Sequence, residues 1–471
     1  MGKIYDANAE DWKMFEAAYK GGSAWKAQGF LYQYQNETSL QLQTRTKQTP
    51  LENHCESVVA TYSGFIWRDP PKRNLGKLNN NVSLNRLLKD ADKEGTGLNE
   101  FMKVVQMWGS VFGVLWIIVD KPNVKATTHA DEITGGIRPY LRFYKPLDVL
   151  DFEFTQKPSG GYELTWFKVK EETTSREGDI IIEREWTTTN IVTKTTIGET
   201  TTTTDVPNPL GRIPAFPHYN KKSISRGLAA SDLQDILGMQ ISIYNDLSEL
   251  TQMIRGSNHK TLVKNRNDEA STGAGGVILM GEDTESAKKP YLLAADAEAL
   301  SGLLAAIDKK TEMINRMAHL TPVRTYRTQV ISAVAMETEF HILNTLLAEK
   351  AAQLQLTEYA IFECFCAWEG IDAEKSGYEV TYPSHFELRD KRADLDFIKA
   401  AREAAALINS STLQLELNKQ FVRVALPDDD LIEKIEGELG KAKAAVQPAA
   451  KTIQMPPPES DRLTVIKSEK L

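Results

Sequence analysis

Residues 227–255 read GLAASDLQDILGMQISIYNDLSELTQMIR, the longest continuous helical pattern of the chain. Apolar side chains recur at spacings that average about 3.5 residues, the period of one helix face. At a rise of about 1.5 Å per residue, this helix spans about 42 Å. The opposite side has four acidic residues, Asp232, Asp235, Asp246 and Glu249, and only one basic residue, Arg255 at the end of the helix. The pattern therefore predicts a long rod with one packing face and one negative face.

A compact tip and a second rod follow. The helical period breaks between Asn258 and Ala294, where His259–Val263 and Val277–Met280 have the composition of short strands. A helical stripe then returns over Asp296–Met317 and predicts a rod of about 33 Å. We therefore expect two long helices that flank a small tip containing β-structure.

A short basic loop and a third long helix come next. Thr321-Pro322 ends the second rod, because proline is not tolerated inside a helix. Val323–Ser332 follows as a loop that contains Arg324, Tyr326 and Arg327. Ala333–Trp368 then has the apolar spacing of another long helix.

Upstream of residue 227, the pattern changes from helices to strands. Trp12, Phe15 and Tyr19 are spaced three and four residues apart, which predicts one buried helix face. From Tyr140 to Val206 the period is two, and residues 187–204 contain 11 threonines. Because β-branched polar residues suit a solvated strand better than a helix, this region predicts a meander of antiparallel strands.

Downstream of the third long helix, the chain predicts a strand, further helices and a polar tail. Tyr378–Phe386 has a strand pattern, and Arg389–Ile408 is amphipathic. Ser410 is a typical N-cap residue for the next helix. Beyond Gln447 the sequence is rich in proline, alanine and charge, which predicts a disordered tail over residues 447–471.

Length, charge and composition exclude several classes of protein. The 471 residues exceed what one hydrophobic core usually serves. Fifty-six basic and 64 acidic residues give a net charge of −8, which argues against a protein that wraps DNA tightly. The longest apolar stretch, Val111–Val119, is far shorter than the roughly 20 residues of a membrane-spanning helix. Cys55, Cys364 and Cys366 are too few for a disulfide framework, which fits a reducing compartment. The N-terminus lacks a secretory pattern, so we expect a protein that stays in the cytoplasm and has no membrane partner.

Known catalytic and metal-binding motifs are not matched. Gly437–Lys441 has the wrong spacing for a phosphate-binding loop, and the histidines are too scattered for a zinc site. Asp428–Asp430 suits the N-terminus of a helix. Cys364 and Cys366 lie among aromatic residues, which favours buried packing over redox chemistry. We therefore predict no catalytic residues, no metal site and no cofactor.

The long rods leave one architectural question open. A helix whose apolar stripe has no evident partner in its own chain can pack against copies of itself, and repeated heterologous contacts end in a closed ring. An ordinary helical bundle within one chain is the alternative, and composition alone favours it at least equally.

The order of several segments resembles the portal proteins of tailed double-stranded DNA bacteriophages, over roughly Trp12 to Ala445. The early helix NHCESVV at 53–59 runs into the proline-marked FIWRDPP at 65–71, and WGSVFG at 108–113 precedes a buried strand. NPLGRIP at 208–214, followed by Ser231–Gln240 and Asn245, is similar to that family's entry into its first stem helix.

The resemblance implies an α+β portal-like fold assembled as a ring. Its parts would be an N-terminal wing at 1–226, a first stem helix at 227–257, a β-containing clip at 258–294, a second stem helix at 295–320, a tunnel loop at 321–335, a long wing helix and strand at 336–388, and a helical crown at 389–446. The ring would be a dodecamer at one capsid vertex of the virion. It would conduct double-stranded DNA and bind the terminase large subunit, the capsid protein and head-completion or adaptor proteins.

Three groups of site residues follow from that resemblance. Asp232, Asp235, Asp246 and Glu249 would form an acidic stem face along which DNA slides; a solvated outer face is the alternative. Arg324, Tyr326 and Arg327 would contact DNA from the tunnel loop; hydrogen bonds to a neighbouring subunit are the alternative. Lys260, Lys264 and Arg266 in the clip would contact either DNA or acids of a docking partner.

The sequence thus predicts a non-enzymatic portal protein. Two other classes stay open: a cytoplasmic enzyme whose site is dispersed in the sequence, and a self-associating scaffold protein.

Overall fold

The computed structural model describes residues 3–122, 135–176, 178–258, 261–263, 291–293, 297–324, 333–386, 391–408, 410–426, 431–432 and 434–439. The chain divides into two compact units, Met1–Phe386 and Glu387–Leu471. Helices and antiparallel sheets alternate along the first unit, so the fold class is α+β, as the sequence predicts.

The elements are numbered in chain order. The helices are α1 (Lys3–Lys20), α2 (Gly22–Ala27), α3 (Ser39–Gln48), α4 (His54–Ile66), α5 (Val82–Lys89), α6 (Leu98–Phe112), α7 (Ile236–Asn258), α8 (Ala297–Met317), α9 (Thr321–Arg324), α10 (Ala333–Glu369), α11 (Ala373–Ser376), α12 (Lys391–Ile408) and α13 (Ser411–Ala425). The strands are β1 (Lys72–Asn74), β2 (Val114–Asp120), β3 (Tyr140–Tyr144), β4 (Val149–Gln156), β5 (Tyr162–Ser175), β6 (Gly178–Thr187), β7 (Asn190–Ile197), β8 (Thr200–Pro207), β9 (Ala215–Tyr219), β10 (Thr261–Val263), β11 (Tyr291–Leu293) and β12 (Glu379–Thr381).

Helix α1 packs one aromatic face into the core, which confirms the predicted burial of Trp12 and Phe15. The indole nitrogen of Trp12 donates to the carbonyl of Phe112, 3.2 Å away. Tyr5 donates to the carbonyl of Gly227 and accepts from the Trp116 indole, at 2.8 and 2.7 Å. These bonds join the start of the chain to the central strand and to the segment before the long helices.

The antiparallel strands predicted between Tyr140 and Val206 are present, as β3 in one sheet and β4 to β8 in another. Strand β2 is the centre of a three-stranded sheet of order β3-β2-β9, and Val114–Ile118 are fully buried. The other sheet has five strands in the order β4-β5-β6-β7-β8, each joined to the next along the chain. Strands β7 and β8 contain eight of the 11 threonines of residues 187–204, and these eight are half-buried or exposed, as their composition predicts.

Strand β12 is shorter than the sequence predicts, and its partner was not predicted. It covers Glu379–Thr381 and pairs antiparallel with β1, residues Lys72–Asn74. The two strands are far apart in the chain, and each has three residues. A pattern of period two cannot be recognised in three residues, so only tertiary folding shows the pairing.

The first long helix begins later than predicted. Helix α7 starts at Ile236 rather than Gly227, because the preceding turn is held against the end of α6. The amide of Asp232 donates to the Ser110 carbonyl at 3.0 Å, and the Ser231 hydroxyl donates to the Val111 carbonyl at 2.6 Å. These bonds replace the hydrogen bonds that a helix would make through the same residues.

Helices α7 and α8 pack against each other, and a two-stranded sheet lies at their adjoining ends. Strand β10 follows α7, β11 precedes α8, and Thr261 is paired with Leu293. The predicted strand within His259–Val263 is therefore present as β10. The predicted strand Val277–Met280 lies outside the described residues.

The second unit contains a helical pair. Helices α12 and α13 pack together, and the Arg402 guanidinium lies 5.7 Å from the centre of the Phe421 ring. The Ser410 hydroxyl accepts from the Leu413 amide at 3.3 Å, which confirms the predicted N-cap. Asp428–Asp430 and the tail at 447–471 lie outside the described residues.

The three cysteines are buried and free, as the sequence predicts. Among the described residues, no helix is both long enough and apolar enough to span a bilayer.

Candidate functional site

The candidate site is the region where the α7–α8 pair joins the rest of the first unit. The turn at 231–235, the end of α8, helix α4 and helix α10 meet there. Two sets of polar contacts hold this junction, and each contains a residue that the sequence singled out; a third set lies further along α10.

The Asp232 carboxylate lies inside the protein rather than on an acidic helix face. Its side chain is 3% exposed, and the Lys350 ammonium lies 2.5 Å from Oδ2. Lys221 approaches Oδ1 at 3.2 Å, and Lys350 also donates to the amide oxygen of Asn220 at 2.5 Å. Asp232 is therefore removed from the predicted acidic stem face, because the turn before α7 directs it toward α10.

Opposing effects act on the protonation of this pair. Burial raises the pKa of Asp232, but the two ammonium groups outweigh burial, and the net pKa is lowered. Burial lowers the pKa of Lys350, and Asp232 opposes that shift only in part. The pair is thus a buried ion pair in which each charge requires the other.

His218 lies beside this ion pair on strand β9. Its Nδ1 is 2.8 Å from the Thr357 hydroxyl, and the ring is buried. Burial, together with the nearby Lys350 ammonium, lowers the pKa of His218 to about 3. The imidazole is therefore neutral near pH 7, and its role is to connect β9 with α10.

Glu358 is the centre of the third set of contacts, further along α10. Arg73 donates to both carboxylate oxygens at 2.5 and 2.9 Å, and Tyr378 and Tyr382 donate at 2.6 and 2.7 Å. Burial and the adjacent carboxylate raise the pKa of both phenols. With these four hydrogen bonds to a buried carboxylate, Glu358 ties α10 to strand β1 and to the residues on either side of β12.

Arg324 belongs to the second set at the junction, and it contacts its own chain. Its Nη2 donates to the Ser57 carbonyl at 2.6 Å, the Ser57 hydroxyl at 2.7 Å and the Thr61 hydroxyl at 2.5 Å. The next residue of α4, Tyr62, donates to the Ala318 carbonyl at 2.6 Å. Arg324 therefore anchors the end of the α8–α9 segment on α4, which resembles the hydrogen-bonding alternative of the sequence analysis, but with the partner in the same chain.

The remaining predicted acids do not form one face. Asp235 precedes α7 and is exposed. Asp246 is paired with Lys310 of α8 at 2.5 Å, and Glu249 is exposed and accepts from the Tyr34 hydroxyl at 2.6 Å. The predicted continuous acidic face is thus replaced by one buried acid, one acid between the two rods and two exposed acids.

The other candidate residues lie outside the described residues. These are Tyr326 and Arg327 of the predicted tunnel loop, and Lys260, Lys264 and Arg266 of the predicted clip.

Two buried charges of α10 were not identified from the sequence. Lys350 and Glu358 are both buried on α10, yet helical spacing alone does not separate them from exposed charges. A signal exists for Lys350, since it lies beside Ala351 within the apolar stripe that contains Leu347 and Leu354. A charge inside such a stripe indicates a buried partner.

Apolar side chains remain exposed on the long helices. Ile254 of α7 is 43% exposed, and Leu304 of α8 is 45% exposed. On α10, Ile342 and Leu356 are likewise exposed. Each rod thus presents uncovered apolar residues in the part of the chain that the structure describes.

A cleft of about 770 Å³ lies between β3, β5 and the start of α6. Its charged lining residues are Asp92, Glu94, Arg142, Lys145, Asp148, Lys170, Glu171 and Glu172. Both signs are present, and Arg142 contacts Glu171 at 3.2 Å. Within the described ranges, no group of three or more carboxylate, histidine or cysteine ligands is arranged to hold a metal ion.

No protein-family model and no curated protein matches the chain. Among solved structures, it is similar at 10% identity to a chain in the neck of an empty gene transfer agent particle, with a TM-score of 0.45 over 82% of this chain and 95% of that chain. A chain from the virion of the native gene transfer agent particle has 10% identity and a TM-score of 0.42 over 77% of this chain and 89% of that chain. A chain from the neck of the native particle, computed with C12 symmetry, has 10% identity and a TM-score of 0.38 over the same two shares. Similarity at this level is too low to carry a conclusion about this chain.

Proposed function

We propose that this chain is a structural component of a phage-like head, and specifically a portal protein. Copies of the chain form a dodecameric ring at one capsid vertex, and double-stranded DNA passes through its channel during packaging and ejection. The chain performs no catalysis in this role.

The observation that carries the proposal is the pair of long antiparallel helices, α7 and α8, with a small sheet at one end. A two-helix pair can cover only the side chains on its internal faces, so Ile254 and Leu304 stay in contact with water. In the proposed ring, these exposed apolar residues pack against neighbouring copies. Because the two faces of a pair differ, such contacts are heterologous, and they close into a ring when the rotation between neighbouring copies closes.

The electrostatics support a conduit rather than a tight DNA-binding site. The net charge is −8, and Asp235 and Glu249 remain exposed near the rods. A wall of the same sign as DNA keeps the polymer from being trapped, whereas clustered lysine and arginine contacts bind phosphates strongly. Asp246 contributes less to this negative wall, because its charge is paired with that of Lys310.

The proposal assigns roles to the two basic segments. Tyr326 and Arg327 contact DNA transiently from the tunnel loop, through stacking and phosphate contacts. Arg324 acts at the base of that loop, where its bonds to α4 hold the segment in place. Lys260, Lys264 and Arg266 in the clip contact either the DNA or acidic groups of the docking partner.

The partners and location follow from the same role. The ring sits at a capsid vertex of the virion, after assembly in the host cytoplasm, in contact with the capsid protein. During packaging it docks the terminase large subunit, which supplies the ATP-driven motion, and later the head-completion or adaptor proteins.

Light scattering coupled to size exclusion tests the assembly. A closed particle of one defined mass, near that of a dodecamer, is the expected result. A monomer or dimer at all concentrations supports the dispersed-site enzyme instead, and a polydisperse series supports the scaffold.

A pair of substitutions tests whether the rods make the contact. Ile254→Asp combined with Leu304→Asp places charges at apolar positions of α7 and α8, and we expect the ring to dissociate into folded single chains. Val82→Asp is the matched control, since Val82 is 46% exposed at the start of helix α5, which packs on α6 rather than on the rods. A ring that survives the double substitution while its circular dichroism is unchanged contradicts the proposed interface.

A further inference from the structure

The five-stranded sheet has two edges that differ in how they are protected. At one edge, the β4–β5 register is shifted by two irregularities, between Val149 and Asp151 and between Glu153 and Phe154. Bulges and charged residues of this kind are the usual means by which proteins prevent an edge strand from pairing with another chain. That edge is therefore blunted.

The opposite edge, strand β8, has none of these features between Thr200 and Thr204. All eight residues of β8 pair with β7 in one unbroken register, from Thr200 opposite Ile197 to Pro207 opposite Asn190. Residues Thr200–Thr204 carry no charge, and every residue of β8 except Val206 is exposed. Among the described strands, β8 pairs with β7 alone. An uncharged, regular edge of this length is a template for strand addition.

The backbone groups that face outward can be assigned from the pairing. The two-residue turn at Gly198-Glu199 makes Ile197 and Thr200 a hydrogen-bonded pair, and antiparallel pairs alternate in type from there. The amide and carbonyl groups of Thr200, Thr202 and Thr204 therefore face β7. Those of Thr201, Thr203 and Asp205 face away from the sheet.

We propose that the β8 edge is a docking surface for the β8 edge of a second copy of this chain. The two strands run antiparallel about a two-fold axis at Thr203, and their five-stranded sheets join into one. This contact is isologous, so it is separate from the heterologous contact that closes a ring, and it links two rings or two free chains.

The chemistry of the strand supports a second copy as its partner. Threonines of β8 already pair with threonines of β7 inside one chain, as in Thr195 with Thr202 and Thr196 with Thr201, whose hydroxyls are 3.1 Å apart. A threonine strand is thus complementary to another threonine strand. Two copies do not repel each other here, because Thr200–Thr204 is uncharged.

The two-fold register also keeps Asp205, the one charged residue of β8, from facing its own copy. Pairing centred on Thr203 sets Asp205 opposite Thr201 of the second copy, at both ends of the contact. The carboxylate then faces a hydroxyl rather than the other carboxylate. Six backbone hydrogen bonds result, two for each of the three outward pairs. An edge of this size buries less than a stable dimer requires, so the association is weak and depends on concentration.

Disulfide trapping tests the register directly. In a hydrogen-bonded antiparallel pair the two Cα atoms are about 5.5 Å apart, which suits a disulfide. Thr203→Cys is therefore expected to give a covalent dimer on a non-reducing denaturing gel under mild oxidation. The native cysteines are buried and do not compete.

Thr200→Cys is the matched control on the same exposed strand. In the proposed register, the cysteines at position 200 of the two chains lie about 20 Å apart, so no disulfide-linked dimer should form. Mixing a Thr201→Cys chain with an Asp205→Cys chain should give a mixed dimer, whereas each alone should not. Absence of a Thr203→Cys dimer, or equal yields from Thr200→Cys and Thr203→Cys, overturns the proposal. Because the gel detects only covalent pairs, the result does not depend on whether the chain forms a ring.

Discussion

Lys350 and Asp232 show how strongly single residues constrain the junction between the rods and the sheets. Both side chains are almost fully buried, and the Lys350 ammonium also donates a hydrogen bond to Asn220, which follows β9. Two charges in a dry interior are expensive, and they persist only when they are paired with good geometry. This pair therefore specifies how α10 lies against the turn before α7.

Replacing Lys350 by methionine leaves the Asp232 carboxylate buried, with Lys221 as its remaining cationic neighbour. We expect the free energy of unfolding to fall by about 3 kcal/mol, since removal of one partner of a buried ion pair leaves an uncompensated charge. Urea denaturation measures the change.

Lys309→Met is the matched control, because Lys309 is 60% exposed and paired with Glu312 on the helix surface. Its effect should be below about 0.5 kcal/mol. Equal effects of the two substitutions would show that the buried pair contributes no more than a surface pair.

His218 makes the stability of the protein depend on pH. Its pKa is about 3 in the folded chain, against 6.5 for the ordinary group. Between these values the unfolded chain binds one more proton than the folded chain, so stability is intact above pH 6.5 and is lost progressively as the pH falls toward 3.

The substitution His218→Gln removes this titration while it keeps an uncharged group able to bond to Thr357. We expect the slope of stability against pH between pH 6 and 4 to decrease by about 1.4 kcal/mol per pH unit relative to the wild type. Denaturant unfolding at a series of pH values gives both slopes. Parallel curves for the two proteins would assign the acid sensitivity to other groups.

At the scale of elements, the close approach of α6 to β9 depends on a missing side chain. A Cβ atom built on Gly109 of α6 would lie 2.9 Å from Cδ2 of His218. The helix can therefore reach this distance from the sheet only with glycine at that position.

Gly109→Ala should destabilise the protein by about 1–3 kcal/mol, because overpacking forces neighbouring groups to shift. Gly302→Ala on α8 is the control with the opposite expected sign. No atom lies within 4 Å of its added Cβ, and alanine is favoured over glycine in a helix by about 0.5–1 kcal/mol. Melting temperatures of the two variants should move in opposite directions.

Element patterns explain which parts of the fold could be predicted. The aromatic face of α1 and the strands from β3 to β8 follow from periods of 3.6 and two, which depend only on near neighbours in the chain. The start of α7 could not be predicted in this way. Ser231 and Asp232 have helix-compatible spacing, but Ser110 and Val111 of a distant helix take their hydrogen bonds.

At the scale of the whole molecule, the same limit applies to the candidate site. Arg324 was singled out because it is basic and lies in a loop, yet its contacts with Ser57 and Thr61 make it an anchor within the chain. The spacing of the four acids at 232, 235, 246 and 249 predicts that they share one helix face. Folding separated them, because Asp232 lies in a buried turn and Asp246 pairs with Lys310 of the second rod.

The sequence by itself determined the α+β class, the long helices, the antiparallel meander and the buried cysteines, since all of these follow from local periodicity and from the exclusion of apolar groups from water. Only the tertiary structure decided which charged side chains are buried and with which partners they pair. The pairs Asp232–Lys350 and Arg73–Glu358 join residues more than a hundred positions apart. The partner of a charge depends on which segments meet in space, and no local pattern in the chain encodes that meeting.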